Sequence, residues 1–193
     1  MFSTPIIVWD VDDVLNCLMK SWLQYWSQES GLKIILNEII KNPPQDILGI
    51  TKEDYLNSLD TFRNSDLGKD LEVNHIIKKW FLHHGNKFNH IACTGRPIRT
   101  MPNQAWWLYK NYSQWIKTVH MTGADRDLES RKISKADFIS FINSDVVFID
   151  DCENNINSVS KIGGITLLYP QPWNKANYTE VEFISKLNSL LGL

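Results

Sequence analysis

The sequence predicts an α/β protein: a doubly wound, Rossmann-like parallel sheet of five strands, with a small helical segment inserted after the first strand. Three observations carry this expectation. Short apolar runs bounded by turn residues recur along the chain, as expected of strands buried on both faces of a parallel sheet. Stretches with apolar residues at i, i+3, i+4 and i+7 alternate with them, the mark of amphipathic helices packed on such a sheet. One interval is far too long for a simple crossover. From Asn16 to His90 the chain runs about 75 residues, against the roughly 10–12 that a parallel connection with its helix requires.

The elements follow in order. Ile6-Ile7-Val8-Trp9 is the first apolar run. Two helical stripes come next, one of Leu18, Trp22, Leu23 and Trp26 and one of Tyr55, Leu56, Leu59 and Phe62; they make up the surplus before the crossover helix. That helix is marked by Val73, Ile76, Ile77, Trp80, Phe81 and His84. The division expected from this is an α/β core of residues 1–15 and 68–193 with an inserted segment at 16–67. Ile91-Ala92-Cys93 is the second strand, and Trp106, Trp107, Leu108 and Tyr112 read as helix core. Trp115 to Val119 is a weaker third strand, Ala136 to Ile142 a helix, and Val146 to Ile149 a clear fourth strand. Ile156 to Ile162, the strand Ile165 to Tyr169 and the helix Val181 to Leu191 close the chain.

Composition narrows the function classes. With 20 Lys+Arg against 22 Asp+Glu and a net charge of −2, the chain lacks the basic footprint of a nucleic-acid duplex binder. Cys17, Cys93 and Cys152 are too few and too scattered for a disulfide framework or a cysteine-spaced zinc site. The five histidines show no ligand spacing, and His83 and His84 do not share a helix face. No apolar run approaches membrane-spanning length and residues 1–8 do not resemble a signal peptide, so a cytoplasmic protein without membrane contact is expected, as monomer or homodimer. Tryptophan is oddly abundant, with eight residues, as many as phenylalanine.

In open α/β sheets, ligands sit beyond the carboxyl ends of the strands. The first run ends in Asp10-Val11-Asp12-Asp13-Val14-Leu15, the second in Thr94-Gly95-Arg96, and the fourth in Asp150-Asp151. Ser134-Lys135-Ala136-Asp137 opens a helix as a capping box, which places Lys135 in its first turn. Several carboxylates converging at low dielectric repel one another and need a cation among them. Hard oxygen ligands with open positions suit Mg²⁺, which also accepts phosphate oxygens. Asp10 is then placed to attack phosphorus, and Asp12 to protonate the leaving oxygen and later activate water. Thr94, Gly95 and Lys135 are placed to hold the non-bridging oxygens. Asp13 reads as a turn residue.

On these residues the sequence resembles the haloacid dehalogenase superfamily, over roughly Pro5 to Tyr169. Asp10-x-Asp12-x-Val14-Leu15 matches its first motif, Thr94 its second, Lys135 its third and Asp150-Asp151 its acidic fourth. The resemblance implies a phosphatase with an aspartyl-phosphate intermediate and a helical cap in the place of the insertion. It implies a Mg²⁺ site formed by Asp10, Asp12 through its backbone carbonyl, Asp150 and Asp151. Two assignments stay open: Lys132 competes with Lys135, and either Asp150 or Asp151 contacts the metal directly.

The implied substrate is a small phosphomonoester, with nucleotides favoured on two grounds. Trp22 and Trp26 suit base stacking, alongside Arg96 as a further substrate contact, and the Tyr169–Asn174 loop is similar to loops of deoxyribonucleotidase-like members. Four other readings compete. A phospho-receiver domain uses similar residues in a different chain order, and a non-catalytic binding module of the same fold would not need the full set present here. A dehalogenase would not need Asp12. A P-loop kinase is disfavoured because no GxxxxGK(S/T) occurs.

Overall fold

The computed structural model describes residues 4–124, 133–142 and 144–193. Five parallel strands, β1 (Ile6–Trp9), β2 (Asn89–Thr94), β3 (Ile116–Met121), β4 (Val146–Asp150) and β5 (Ile165–Leu168), form one sheet in the order β3-β2-β1-β4-β5. The chain steps outward from β1 through β2 to β3, then returns across β1 to place β4 and β5 on the other side. The direction of winding therefore reverses between β1 and β4, and a crevice opens at their carboxyl ends. Trp9 lies opposite Ile149 in the register, so Asp10 and Asp150 leave the sheet side by side at that crevice.

Alternation along β1 sorts the core into two faces. Ile7 and Trp9 pack with α5 (His75–His84), α6 (Met101–Tyr112) and α9 (Glu180–Leu191) through Ile77, Trp80, Phe81, Trp107, Tyr112, Phe183 and Leu187. Val8 packs on the other face with Cys93, Phe148, Ile139 of α7 (Lys135–Ser140) and Val159 of α8 (Glu153–Lys161). Both faces of β4 are thus covered and all five of its residues are buried, which is why its sequence is an unbroken apolar run. Much of the tryptophan lies on the first face. Trp9 meets Phe81 at 4.9 Å and Trp80 at 5.5 Å, and Phe81 meets Trp115 at 5.3 Å. Each fully buried aromatic ring of this kind contributes a few kcal/mol.

Between β1 and α5 the chain forms α1 (Leu18–Ser30), α2 (Gln45–Leu48), α3 (Lys52–Asn64) and α4 (Asp66–Lys69). The two ends of the excursion are tied together. Asn16 and Val73 form an antiparallel bridge, the Cys17 amide donates to the Glu72 carbonyl, and the Asn74 amide donates to that of Leu15. The expected division between residues 67 and 68 falls inside α4, and the chain rejoins the strand-end region at Val73.

Other boundaries shift for local reasons. Val73 belongs to the bridge, so α5 begins at His75, its first turn capped by Asn74 Oδ1 accepting the Ile77 amide. The third strand starts after Trp115, whose ring is spent on the aromatic core, and runs to Met121 as an edge with exposed residues. Trp107, Leu108 and Tyr112 are helix core as expected, whereas Trp106 is 60% exposed and stacks on Tyr109. Among the described residues no helix is long and apolar enough to cross a membrane.

His90 is a packing residue with a pH consequence. Trp9 Nε1 donates to its Nδ1 at 3.1 Å, and its Nε2 lies 2.8 Å from the Gly85 carbonyl, which fixes the neutral Nε2–H form. Burial lowers its pKa to about 4. The unfolded ring gains a proton near pH 6.5 and the folded ring only near 4, so stability present above pH 6.5 is lost as pH falls through this window. The loss expected by pH 4.5 is about 2–3 kcal/mol. Denaturant unfolding at pH 7 and 4.5 should show that much less acid sensitivity in His90→Gln than in the parent protein; a pH-independent difference would contradict it.

Candidate active site

Lys135 sits where the capping box predicts. The Asp137 amide donates to Ser134 Oγ at 3.0 Å and the Ser134 amide to Asp137 Oδ2 at 2.9 Å, so α7 starts at Lys135 and aims it at the strand ends. Its Nζ donates to Asp10 Oδ1 at 2.5 Å and to Asp150 Oδ2 at 2.7 Å. All three residues are buried. The competing Lys132 lies outside the described residues.

The acidic pair after β4 is held from two directions. Asp150 Oδ1 accepts the Cys152 amide at 2.8 Å and its Oδ2 accepts Asn155 Nδ2 at 3.0 Å. Asp151 Oδ2 accepts Trp173 Nε1 at 2.7 Å, and its carbonyl accepts Asn174 Nδ2 at 2.8 Å. Oxygens of Asp10, Asp150 and Asp151 all lie within 4.8 Å of one another. Among the described residues, three carboxylates share one ammonium here, and the imbalance marks their titration. Burial pushes the Asp10 carboxyl well above its usual range, with Lys135 opposing and Asp150 and Asp151 reinforcing the rise. Burial and the charge of Asp150 do the same to Asp151. For Lys135, burial disfavours the charge, but Asp10 and Asp150 outweigh it and hold the ammonium well above its ordinary pKa. A compact set of hard oxygen donors with surplus negative charge fits a divalent cation.

Asp12 is held separately. Its carboxylate is not part of the cluster around Asp10. Arg96 grips it as a fork, Nε to Oδ2 at 2.7 Å and Nη2 to Oδ1 at 2.5 Å, and Arg63 Nη2 reaches Oδ2 at 3.0 Å. Asn16 and Gln104 donate to Oδ1 at 3.1 and 3.4 Å. Burial works against ionisation, but Arg96 and Arg63 outweigh it and hold the carboxyl below the usual range. Asp13 is the turn residue expected, with φ of 61°. Its Oδ1 accepts the Met19 amide at 2.8 Å at the start of α1, and burial raises its pKa to about 8.

These groups face a cavity of about 510 Å³ that lies between the strand ends and the inserted helices. Asp10, Asp12, Thr94, Gly95, Arg96 and Lys135 line it from the sheet side; Lys52, Tyr55, Leu56, Leu59 and Arg63 line it from α3. The Thr94 carbonyl accepts the Thr122 amide at 2.9 Å, which fixes the turn at the end of β2. Trp22 and Trp26 do not line this cavity. Both are buried between α1 and α3, with Trp22 edge-on to Tyr55 at 5.1 Å and donating to Ser58 Oγ at 3.2 Å. They are the core of the inserted segment, so the expectation that they stack on substrate is corrected.

Sequence reasoning missed Arg63, Asn16, Gln104 and Asn155, and it placed Trp173 in the loop after the fifth strand without tying it to Asp151. Asn155 and Trp173 had a weak signal, as polar-tipped residues just beyond the fourth and fifth strands. Arg63 had none, since it reaches Asp12 from 51 residues away.

No protein-family model and no curated protein matches the chain. Solved structures do, at low identity. Protein tyrosine kinase A of Mycobacterium tuberculosis superposes with a TM-score of 0.68 at 11% identity over 99% of both chains. The magnesium-bound YfnB protein of Bacillus subtilis, assigned as a HAD-hydrolase, gives 0.65 at 11% identity over 98% of this chain and 99% of its own. A haloacid dehalogenase-like family hydrolase of Streptococcus pneumoniae gives 0.64 at 12% identity over 95% and 98%. At these identities the likeness is one of fold.

Proposed function

We propose that this chain, which has the fold of the haloacid dehalogenase-like hydrolases, is a Mg²⁺-dependent phosphomonoester hydrolase working through an aspartyl-phosphate on Asp10. The observation that carries the reading is the buried constellation at the winding reversal, with Lys135 bridging Asp10 and Asp150 and with Asp151 beside them. Asp10, Asp150 and Asp151 would hold the cation, which supplies the neutralisation that lets a carboxylate approach a phosphate dianion. Lys135 and the turn at Thr94 and Gly95 bind the non-bridging oxygens and stabilise charge developing on them. The Asp10 carboxylate attacks phosphorus as the bond to the leaving oxygen breaks, and Asp12, once released from Arg96 and Arg63 and protonated from solvent, gives that oxygen a proton. Asp12 then takes a proton from the water that attacks the aspartyl-phosphate, which releases inorganic phosphate and restores both carboxyl groups.

The competing phospho-receiver reading is disfavoured by the strand order. Such domains are wound 2-1-3-4-5, whereas this sheet runs 3-2-1-4-5. The nucleotide preference loses its main ground with Trp22 and Trp26 inside the inserted segment, and the Tyr169–Asn174 loop is occupied in bracing Asp151.

Hydrolysis of p-nitrophenyl phosphate is expected only with added Mg²⁺, falling at least about a hundredfold in excess chelator, since one strong electrostatic contact at the reacting centre is worth that much. Full activity in chelator would sink the reading. Thermal stability should rise on adding Mg²⁺, by about 2.7 kcal/mol at a hundred times its Kd.

A further inference from the structure

Both oxygens of Asp12 are held by guanidinium groups that come from opposite walls of the cavity. Arg96 follows β2, and Arg63 belongs to the last turn of α3 in the inserted segment. Both arginines line the cavity, and they are only 2% and 8% exposed. This is more cation than one carboxylate needs. Arg63 also pairs with Asp60 at 3.2 Å, but Asp60 is itself served by Arg99 at 2.6 Å. Among the described residues, three arginines therefore face two carboxylates. Moreover, Arg63 Nε is buried with no hydrogen-bond acceptor in the described structure. A buried guanidinium N–H without an acceptor is costly, so the Arg63 guanidinium is under-served by the protein's own acceptors where its residue lines the cavity. Asp12 shows which chemistry fits: the pair takes an oxyacid, with Arg96 forked across it, as guanidinium groups do for carboxylates and phosphates alike.

We propose that Arg63 and Arg96 form a subsite for a second anionic group of the substrate, a carboxylate or a phosphate carried a few bonds from the scissile phosphate. The inference rests on the phosphatase reading and deepens it. In the structure the donors to Asp12 are Arg96, Arg63, Asn16 and Gln104, and it must leave the arginines to reach a leaving oxygen. A second anion that takes its place on Arg63 and Arg96 frees it at the moment of binding. A substrate with a neutral tail leaves Asp12 where it is. The subsite thereby spends recognition of the tail on the chemical step, so discrimination falls in kcat as well as KM. Because Arg63 is on α3, the same contact draws the inserted segment onto substrate.

The test uses three alkyl phosphates of equal chain length, ending in a carboxylate, a second phosphate or a neutral hydroxyl, assayed with Mg²⁺. We expect one or both anionic probes to exceed the hydroxyl probe in kcat/KM by about tenfold or more, as for one charged hydrogen-bonded contact; the better of the two identifies the group. In Arg63→Met this ratio should fall to near one, and in Arg63→Lys to an intermediate value. Each ratio is taken within one protein, so a loss of folded fraction cancels. A ratio near one in the parent protein, or an undiminished ratio in Arg63→Met, overturns the subsite. If no probe and no aryl phosphate is hydrolysed, the phosphatase reading fails, and the subsite is decided by binding of the same probes to the Asp10→Asn protein. Tighter binding of an anionic probe by about tenfold, lost with Arg63→Met, sustains the subsite, and equal affinity overturns it.

Discussion

Asp10→Asn is expected to lower kcat for p-nitrophenyl phosphate by at least about 10⁴-fold, the scale seen when a covalent nucleophile is removed, while the protein stays folded. The second half of this expectation is what makes it informative. Asparagine keeps an oxygen for Lys135 Nζ, and Lys135 retains Asp150 at 2.7 Å, so no buried ammonium is orphaned. The carboxylate that is lost has a pKa raised by burial above its unfolded value. A carboxyl raised in this way costs stability once pH exceeds the unfolded pKa near 4, and a neutral amide removes that cost. At pH 7.5 in chelator, the Asn variant should therefore melt at the same temperature as the parent protein or higher. With Mg²⁺ the order should reverse, because one ligand of the cation is gone. Activity remaining above about 1% would move the nucleophile away from Asp10. A folded but inactive variant with the opposite stability pattern would mean that the cluster does not carry the surplus charge described.

The parts of this site that could be read from sequence share a physical reason: each is tied to a local pattern. β1 and β4 are buried on both faces, so they are unbroken apolar runs, and a carboxylate ending such a run stands out as Asp10 and Asp150 do. Lys135 was legible through Ser134 and Asp137, because a capping box fixes where a helix starts and hence which residue opens it. The third strand was less so. As a sheet edge it exposes residues such as Val119 and Met121, and its apolar pattern is correspondingly weak. Trp22 and Trp26 were misread because spacing of i, i+4 is the same for a core stripe and for a stacking platform; only the position of α3 decides between them. The arginine pair on Asp12 lay furthest out of reach. Arg63 and Arg96 reach Asp12 from 51 and 84 residues away, and nothing in the local sequence of α3 distinguishes Arg63 from a solvated cation.

Lys135→Met should be the most destabilising single change in the site, and its cost should depend on pH in a direction that distinguishes it from lost packing. Methionine approximates the stem of the lysine, so the volume is nearly kept and the change is mainly one of charge. Removing one partner of a buried ionic group typically costs about 3–5 kcal/mol, because the remaining charges are left in low dielectric. Here the remainder is Asp10, Asp150 and Asp151, whose oxygens lie within 4.8 Å. Without the ammonium their mutual repulsion is unopposed. Burial already raises Asp10 and Asp151, and loss of Lys135, which lowers both, raises them further. A folded pKa above the unfolded value near 4 makes the penalty grow as pH rises through the interval between them. The deficit relative to the parent protein should thus be largest near pH 8 and shrink as pH falls toward 5. A packing defect would show no such trend. Mg²⁺ should recover part of the loss at pH 8, since the cation replaces charge at the same carboxylates, but it should not recover hydrolysis, because under the proposed mechanism the non-bridging oxygens lose the ammonium that binds them. Unfolding midpoints at pH 5 and pH 8, each with chelator and with Mg²⁺, read out both effects. A deficit that is equal at the two pH values would show that Lys135 acts through packing and not by balancing Asp10 and Asp150.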